Sequence, residues 1–534
     1  MTSKISLGAR IQRFLRLHPL LRETLQWAMP AMVFGAVLRA LLVSYLPYAF
    51  WGPDARSFYK FPHTLLTEHY VSFPEKRRFL YPLLMVPVSL LPGAPLRWLP
   101  LFQHALGLLT VLPFAYLVRK TMVHWRLWML PATLFFAGFP LFVWYEHELL
   151  GETLFFDTLV WTFAGWAAWV GEKRIERSRR LFWWFFVPFA LFLATKPSGR
   201  FVWPGIFAGL VLTLAWRRLD WRRIIALGLL LGLTPFVGSK KQGAWILYVA
   251  TFPLTQTETP LHAEYKAEIR DSVVRMRAQS DVYYFLQDNE PFLLVRDPGD
   301  QDARPLWKGL GKDEKLKSKV YFDLAFEGIR AEPRLFLHFA WQRIVASADF
   351  SAFDRTRFNA GFYREHTKEF YTEAEQSEAS PVRLVFALPA HGPLPPYEEF
   401  ARRLDPAADS LAARCVRAIV GLYPAEALDF FRFPKVPPIE RKISLMRVAP
   451  FGWWLFAGML LSFLPRYRLT LGVWTVVATG YLFGVFIVSL TNVRYFAPAW
   501  PVFLIVALIP ADALVQCCAS VIRPRPGLEN ALHD

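Results

Sequence analysis

Three acidic side chains stand at the ends of apolar segments, where a carboxylate could act on a substrate. Asp54 follows the first apolar segment in a Gly-Pro turn, and a carboxylate there can serve as general base toward a hydroxyl group. Glu148 and Glu152 are four residues apart and would share one helix face. The alternative for Asp54 is a solvated loop carboxylate that pairs with Arg56 or a neighbouring amide.

Asp157 lies inside the apolar segment that begins near Glu152. A charge in such a segment is costly, which predicts either a functional group or an ion pair that holds helices together. The neighbouring Glu146 and His147 are expected to be solvated. His147 beside glutamates imitates metal-ligand spacing, but one His without Cys is a weak signal. We therefore expect no cofactor and no metal requirement.

Several cations occur in short connections beside the apolar segments. Arg binds phosphate through paired hydrogen bonds, and Lys binds it as a point charge. For Lys196 and Arg494, a phosphate site and an interfacial role are equally open, whereas contact with lipid head groups is favoured for Arg78. The cations considered for phosphate binding are Lys196, Arg200, Lys240 and Arg494, the last followed by Tyr495.

The composition requires a membrane to position these residues. The chain has 534 residues, of which 54% are hydrophobic and 19% charged, with a formal net charge of +18. This excludes a disordered chain, a fibrous repeat and an ordinary cytosolic enzyme. The basic residues cluster between apolar runs, which favours an anionic membrane surface over nucleic acid as partner.

A spanning helix needs about 20 mostly apolar residues, and the sequence predicts about ten such spans. A further apolar run, Leu80–Leu91, is short and interrupted by proline, so we expect a helix that lies in the interface or re-enters the membrane. The predicted spans are 25–47, 98–118, 126–144, 150–170, 181–195, 201–216, 223–239, 449–464, 469–490 and 495–516.

Every second connection between the spans is basic, as around 119–126, 173–180, 217–223 and 466–468. The positive-inside rule therefore places both termini inside. The predicted domains are an N-terminal membrane module (1–239) with an outer loop at 48–97, an outer soluble domain (240–447), a C-terminal membrane module (448–516) and an inner tail (517–534).

The outer domain carries helical patterns and no convincing alternating strands. Apolar residues recur at helix spacing in Lys315–Arg330, and Pro333 would open a second helix that reaches Val345. Ser410–Leu422 and Ala425–Phe433 are also predicted to be helical. The fold class is therefore an all-α polytopic membrane protein with a mainly helical outer domain.

Six short motifs resemble the GT-C superfamily of membrane glycosyltransferases, particularly the group with protein O-mannosyltransferases and the aminoarabinose transferase of lipid A. They occur in the family's order and on one side of the membrane. The motifs are Gly-Pro-Asp-Ala-Arg-Ser-Phe-Tyr at 52–59, Arg-Phe-Leu-Tyr-Pro-Leu at 78–83 with Tyr81, Gly-Glu-Thr-Leu-Phe at 151–155, Thr-Lys-Pro at 195–197, Ala-Phe-Glu-Gly-Ile-Arg-Ala-Glu-Pro at 325–333 and Val-Arg-Tyr-Phe-Ala-Pro at 493–498.

The resemblance implies a bacterial inner-membrane enzyme with both termini in the cytoplasm and the large domain in the periplasm. Its donor would be a polyprenyl-phosphate-linked sugar, and its acceptor a glycan, lipid or protein. Asp54 would be the base of an inverting transfer, Glu148 or Glu152 would orient the acceptor or the base, and Lys196, Arg200 and Arg494 would stabilise the leaving phosphate.

Two other functions fit the same sequence. A lipid or polysaccharide transporter or flippase would also have about ten spans and buried charges, although no internal repeat is evident. A non-catalytic protein of cell-envelope glycan assembly is the second alternative.

Overall fold

The computed structural model describes residues 19–50, 55–71, 78–92, 95–171, 175–196, 242–278, 314–337, 339–340, 410–423, 431–432, 447–448, 450–464 and 497–522, with single positions at 368, 467, 478, 480, 481 and 484. Helices dominate these ranges, which confirms the predicted all-α class. We number the helices in chain order: α1 (Pro19–Tyr45), α2 (Ala55–Thr67), α3 (Leu80–Ser89), α4 (Pro95–Thr121), α5 (Trp125–Gly138), α6 (Pro140–His147), α7 (Glu152–Gly171), α8 (Ile175–Thr195), α9 (Gln242–Thr251), α10 (Ala263–Ala278), α11 (Glu314–Ala331), α12 (Leu411–Gly421), α13 (Pro450–Leu461) and α14 (Trp500–Ile522).

Four described segments are long and apolar enough to cross a membrane: Arg22–Tyr45, Leu96–Thr121, Trp125–His147 and Ala497–Ala519. Each overlaps a predicted span, so the chain is a polytopic membrane protein. The predicted spans at 150–170 and 181–195 coincide with α7 and α8, and the one at 449–464 with the shorter α13. The predicted spans at 201–216 and 223–239 lie outside the described residues. Of the predicted span at 469–490, only single positions are described.

The third crossing segment is broken in its middle. α5 ends at Gly138, Phe139 adopts an extended conformation, and Pro140 begins α6. Proline lacks a backbone N–H and suits the first position of a helix, so the chain restarts there instead of continuing. The break separates α5 from the short helix α6, which carries Glu146 and His147.

Glycines allow two helix pairs to approach closely. A Cβ on Gly165 of α7 would lie 2.3 Å from the carbonyl oxygen of Trp184 on α8. A Cβ on Gly458 of α13 would lie 2.3 Å from the carbonyl oxygen of Val506 on α14. Small residues at such crossings let backbones pack in a lipid environment, where hydrophobicity does not drive helices together.

Asp512 ties α14 to the connection between α4 and α5. Its carboxylate accepts hydrogen bonds from the backbone N–H groups of Val123 and His124 at 3.1 and 3.0 Å. The indole N–H of Trp128 and the hydroxyl of Tyr467 donate to it at 3.1 and 2.8 Å. These four donors satisfy a carboxylate that is fully buried.

The first described part of residues 240–447 has a small core of its own. Tyr248 of α9 stacks on Tyr321 of α11 with ring centroids 5.3 Å apart. Buried Lys266 of α10 donates to Glu327 of α11 at 2.5 Å. α11 confirms the helix predicted at Lys315–Arg330, and the chain is helical again from Pro333, as predicted. The predicted end of this second helix, near Val345, lies outside the described residues.

The second described part of residues 240–447 contains α12, as predicted for Ser410–Leu422. Ser410 is its N-cap, with the side-chain oxygen accepting from the N–H of Ala413 at 3.2 Å. The helix predicted at Ala425–Phe433 is wrong at its end, because Phe431–Arg432 is a strand (β1) that pairs antiparallel with Arg447–Val448 (β2). The backbone pairing of β1 with β2 outweighs the local helical pattern at these two residues.

Candidate active site

An acidic turn, residues 146–152, joins α6 to α7 and is held by the segment that follows α1. The N–H of Phe50 donates to the carbonyl of His147 at 2.8 Å, and the N–H of Leu149 donates to the carbonyl of Phe50 at 2.9 Å. Phe50 and Glu148 thus form an isolated parallel bridge. The backbone of the acidic turn is therefore fixed against the segment that follows α1.

Gln103 of α4 holds the same turn from a second direction. Its amide nitrogen donates to the carbonyls of Glu146 and Glu148, both at 2.9 Å. The hydroxyl of Tyr81 donates to the Gln103 carbonyl oxygen at 2.9 Å. A side-chain relay thus connects α3 to the turn through α4.

Tyr81 also closes over the end of the turn. A Cβ on Gly151 would lie 3.5 Å from Cγ of Tyr81, and the Tyr81 ring meets Phe58 of α2 edge-on at 5.0 Å. Burial, followed by the negative charge of Glu152, raises the pKa of the Tyr81 phenol well above its usual value. The hydroxyl therefore keeps its proton and remains a donor.

Glu152, the first residue of α7, meets Lys196 at the end of α8. The Lys196 ammonium donates to Glu152 Oε1 at 2.6 Å and lies 5.8 Å from the centroid of the Phe155 ring. The Glu152 side chain is 3% exposed, whereas that of Lys196 is 16% exposed. The Lys196 side chain is therefore more accessible than the enclosed carboxylate. Two residues predicted separately for the site are in direct contact.

A buried hydrogen-bonded cluster joins Glu146 and His147, at the start of the acidic turn, to Arg39 of α1 and His104 of α4. Two guanidinium nitrogens of Arg39 donate to the two carboxylate oxygens of Glu146 at 2.6 and 2.5 Å. His104 Nδ1 lies 2.7 Å from Glu146 Oε2, and its Nε2 lies 3.2 Å from His147 Nδ1. The third guanidinium nitrogen donates to the carbonyl of Ala137 at 2.7 Å, at the end of α5.

This buried cluster corrects one prediction. Glu146 and His147 were expected to be solvated, but they are 2% and 0% exposed. Arg39 and His104, which lie inside apolar spans, supply the partners that make burial of Glu146 tolerable. Ionisable residues inside apolar spans usually pair with one another, so Arg39 and His104 could have indicated this cluster from the sequence.

A cavity adjoins the buried cluster and contains Asp157. Gly107 makes room there, because a Cβ at that position would lie 1.9 Å from a Glu146 carboxylate oxygen. Asp157 Oδ2 and Thr153 Oγ1 are buried without a hydrogen-bond partner among the described residues. The cavity offers about 10 Å³ to the centre of a water molecule, close to what one ordered water needs.

The remaining predicted site residues divide into two groups. Arg78 is 4% exposed, which does not fit the favoured interpretation of a side chain in the lipid head groups. The others lie outside the described residues: Asp54, Arg200, Lys240, Arg494 and Tyr495.

No group of three His, Cys, Asp or Glu side chains that could hold a metal ion occurs within the described ranges. The Glu146 carboxylate is already occupied by Arg39 and His104, so it does not suit a metal.

No family model matches the chain, and no curated protein matches it. Solved structures of the oligosaccharyltransferase of Archaeoglobus fulgidus are similar to it at 13% identity. The apo form has a TM-score of 0.40 over 95% of this chain, and the form with an inhibitory peptide and a dolichol-phosphate has 0.39 over 94%.

The chain spans about half the length of these archaeal proteins, 52% in both cases. A further structure of the same protein contains Zn and sulfate. Identity and TM-score are both low, and site residues do not transfer between the two chains.

Proposed function

We propose that this chain is an integral-membrane glycosyltransferase that moves a sugar from a polyprenyl-phosphate donor to an acceptor at the outer membrane face. The observation that carries the proposal is the Lys196–Glu152 pair on the acidic turn. The pair joins the partly exposed Lys196 side chain, at the end of α8, to the enclosed Glu152 carboxylate at the start of α7. Both helices are long enough to cross a membrane.

Lys196 has the properties that a lipid-linked phosphate requires. The ammonium lies at the end of α8, where the head group of a lipid within the bilayer would meet the protein. Glu152 holds the flexible side chain in place at 2.6 Å before the donor binds. A donor phosphate would bind the ammonium beside Glu152, and charge-assisted hydrogen bonds of this kind are the strong ones.

Asp54 is the proposed general base. It lies in the chain segment between Phe50 and Phe58. Phe50 pairs with Glu148 of the acidic turn, and the Phe58 ring contacts Tyr81, which lies over the end of that turn. The two flanks therefore support a base next to Glu148 and Glu152. These glutamates would orient the acceptor hydroxyl or Asp54.

The proposed reaction is a single displacement. The acceptor oxygen forms a bond to the anomeric carbon of the sugar while the bond from that carbon to the phosphate oxygen breaks. The electron pair of the breaking bond goes to the phosphate oxygen, where Lys196 stabilises the charge that develops. The hydroxyl proton goes to Asp54, and the configuration at the anomeric carbon inverts.

The donor site is tested by the binding of undecaprenyl phosphate to purified protein in nanodiscs. Lys196→Ala should weaken binding by about 10- to 150-fold, because a hydrogen bond to a charged group contributes roughly 1.5–3 kcal/mol. Lys60→Ala is the matched control, since Lys60 is an exposed lysine on α2. Equal affinity of the Lys196→Ala protein and the wild type would remove Lys196 from the site.

The base is tested by Asp54→Asn, which keeps shape and hydrogen bonding but cannot accept a proton. The protein should insert and bind undecaprenyl phosphate normally but lose about 10²–10⁴-fold in transfer rate, read by cell-envelope glycan complementation. Glu152→Gln is the comparison and should lose less. If Glu152→Gln alone abolishes complementation while the variant still binds undecaprenyl phosphate normally, the base is Glu152. If both variants complement fully, the transferase proposal is wrong.

A further inference from the structure

Helix α12 is amphipathic, and its apolar face packs on α1. Ala413, Val416 and Val420 are buried, one turn apart. The opposite side leaves Leu411 and Leu422 exposed, at 70% and 76%. The side opposite the packed face therefore carries an exposed leucine at each end of the helix.

Tyr423, directly after α12, reaches two membrane spans. Its hydroxyl donates to the carbonyl of Leu134 on α5 at 3.3 Å, and its ring lies 5.1 Å from that of Phe135. A Cβ on Gly138 would lie 2.3 Å from the Tyr423 hydroxyl oxygen and 2.6 Å from the ring of Phe34 on α1. The end of α12 is therefore inserted between α1 and α5.

The contact lies midway along both spans. Phe34 is 12 residues from Arg22 and 11 from Tyr45, the ends of the first span. At a rise of 1.5 Å per residue, both ends are about 17 Å away. Gly138 likewise lies in the interior of the span Trp125–His147. Since the hydrocarbon core is about 30 Å thick, Tyr423 must lie near its centre.

We infer that α12 is a re-entrant helix, which dips from the outer domain into the bilayer and binds membrane lipid with its exposed side. Its 11 residues extend only about 16 Å, which is too short to span. Leu422, next to Tyr423, contacts acyl chains.

Arg414 lies nine residues before Tyr423, about 13 Å along the helix. This distance brings its exposed side chain to the level of the head groups, where a guanidinium binds an anionic lipid phosphate. The α12 helix thereby anchors the outer domain beside α1, the helix that carries Arg39.

The depth is tested by spin labelling of a Cys415→Ser, Cys517→Ser, Cys518→Ser protein in nanodiscs of phosphatidylcholine and phosphatidylglycerol. A label at Leu422→Cys is compared with one at Leu109→Cys on span α4 and one at Val274→Cys on α10, both exposed positions. Collision with oxygen and with a water-soluble nickel chelate is measured at each site.

The Leu422→Cys label should resemble that at Leu109→Cys, with high oxygen and low nickel accessibility. If it collides with nickel as readily as the Val274→Cys label, α12 lies in water and the inference is wrong. Leu422 is exposed, so its replacement leaves the packing of α12 intact.

The head-group contact is tested by counting phosphatidylglycerol retained on the protein in native mass spectrometry. Arg414→Gln should lower retention relative to the wild type, while Arg330→Gln, an exposed arginine on α11, should not. Unchanged retention in Arg414→Gln would exclude Arg414 as the lipid contact.

Discussion

Arg39 and Glu146 offer a quantitative test of the buried cluster. Arg39→Met keeps much of the side-chain volume but removes the charge, and it leaves Glu146 as a buried carboxylate with only His104 as polar partner. Glu146→Gln leaves the guanidinium without its counter-charge. Both groups are almost fully buried, with side chains 4% and 3% exposed, so bulk solvent does not reach the group that loses its partner.

The expected magnitude follows from this burial. Breaking a buried pair by removing one partner typically costs about 3–5 kcal/mol, whereas replacing both charged residues is often close to neutral. The double variant Arg39→Met/Glu146→Gln should therefore be more stable than the sum of the single variants predicts. Residues in one network show coupling energies of about 0.5–3 kcal/mol.

The free energy of unfolding can be measured in bicelles by steric trapping, with all four proteins compared in the same lipid. A control pair is Arg119 and Glu23, which also form an ion pair but are 17% and 28% exposed. That pair should contribute about 1 kcal/mol or less. Additive losses at Arg39 and Glu146, or losses no larger than in the control, would refute the buried-cluster reasoning.

Two further predictions concern helix packing. Gly165→Ala should destabilise the protein by about 1–3 kcal/mol, because the new methyl group would meet the Trp184 carbonyl at 2.3 Å. Gly421→Ala is the control and should not destabilise it, because nothing lies within 4 Å of the added methyl group. Thermal unfolding of both variants in detergent tests this difference. Asp512→Ala should lower stability by roughly 1–3 kcal/mol because four donors lose their acceptor, and equal thermal stability of Asp512→Ala and wild type would contradict the anchoring role.

The sequence was sufficient to predict those elements that depend on hydropathy and local pattern. Apolar length placed the spans of α1 and α4, and helix spacing placed α11 and α12. It failed at Phe431–Arg432, where strand pairing decides the conformation. It also could not predict the insertion of Tyr423, because a contact between distant segments leaves no periodic signal.

The candidate site was predicted in part for similar reasons. Acidic residues at span ends marked Glu148 and Glu152, and a cation in a short turn marked Lys196. The contact between Lys196 and Glu152 depends on how α7 and α8 pack, which no spacing along the chain encodes. Glu146 and His147 were misjudged because their surroundings depend on Arg39 and His104, which come from other helices.

The separation of Arg39 and Glu146 along the chain bears on how the protein is made. The two residues are 107 positions apart. At a synthesis rate of about 5–20 residues per second, α1 enters the membrane roughly 5–20 s before α6 is available. Throughout this interval Arg39 lacks its carboxylate, and a lone Arg on an inserting helix costs at most about 2.5–3.5 kcal/mol, the value for the helix centre. Until the third span is inserted, the first span must therefore be kept in the membrane by its own apolar residues or by an accessory protein at the translocon.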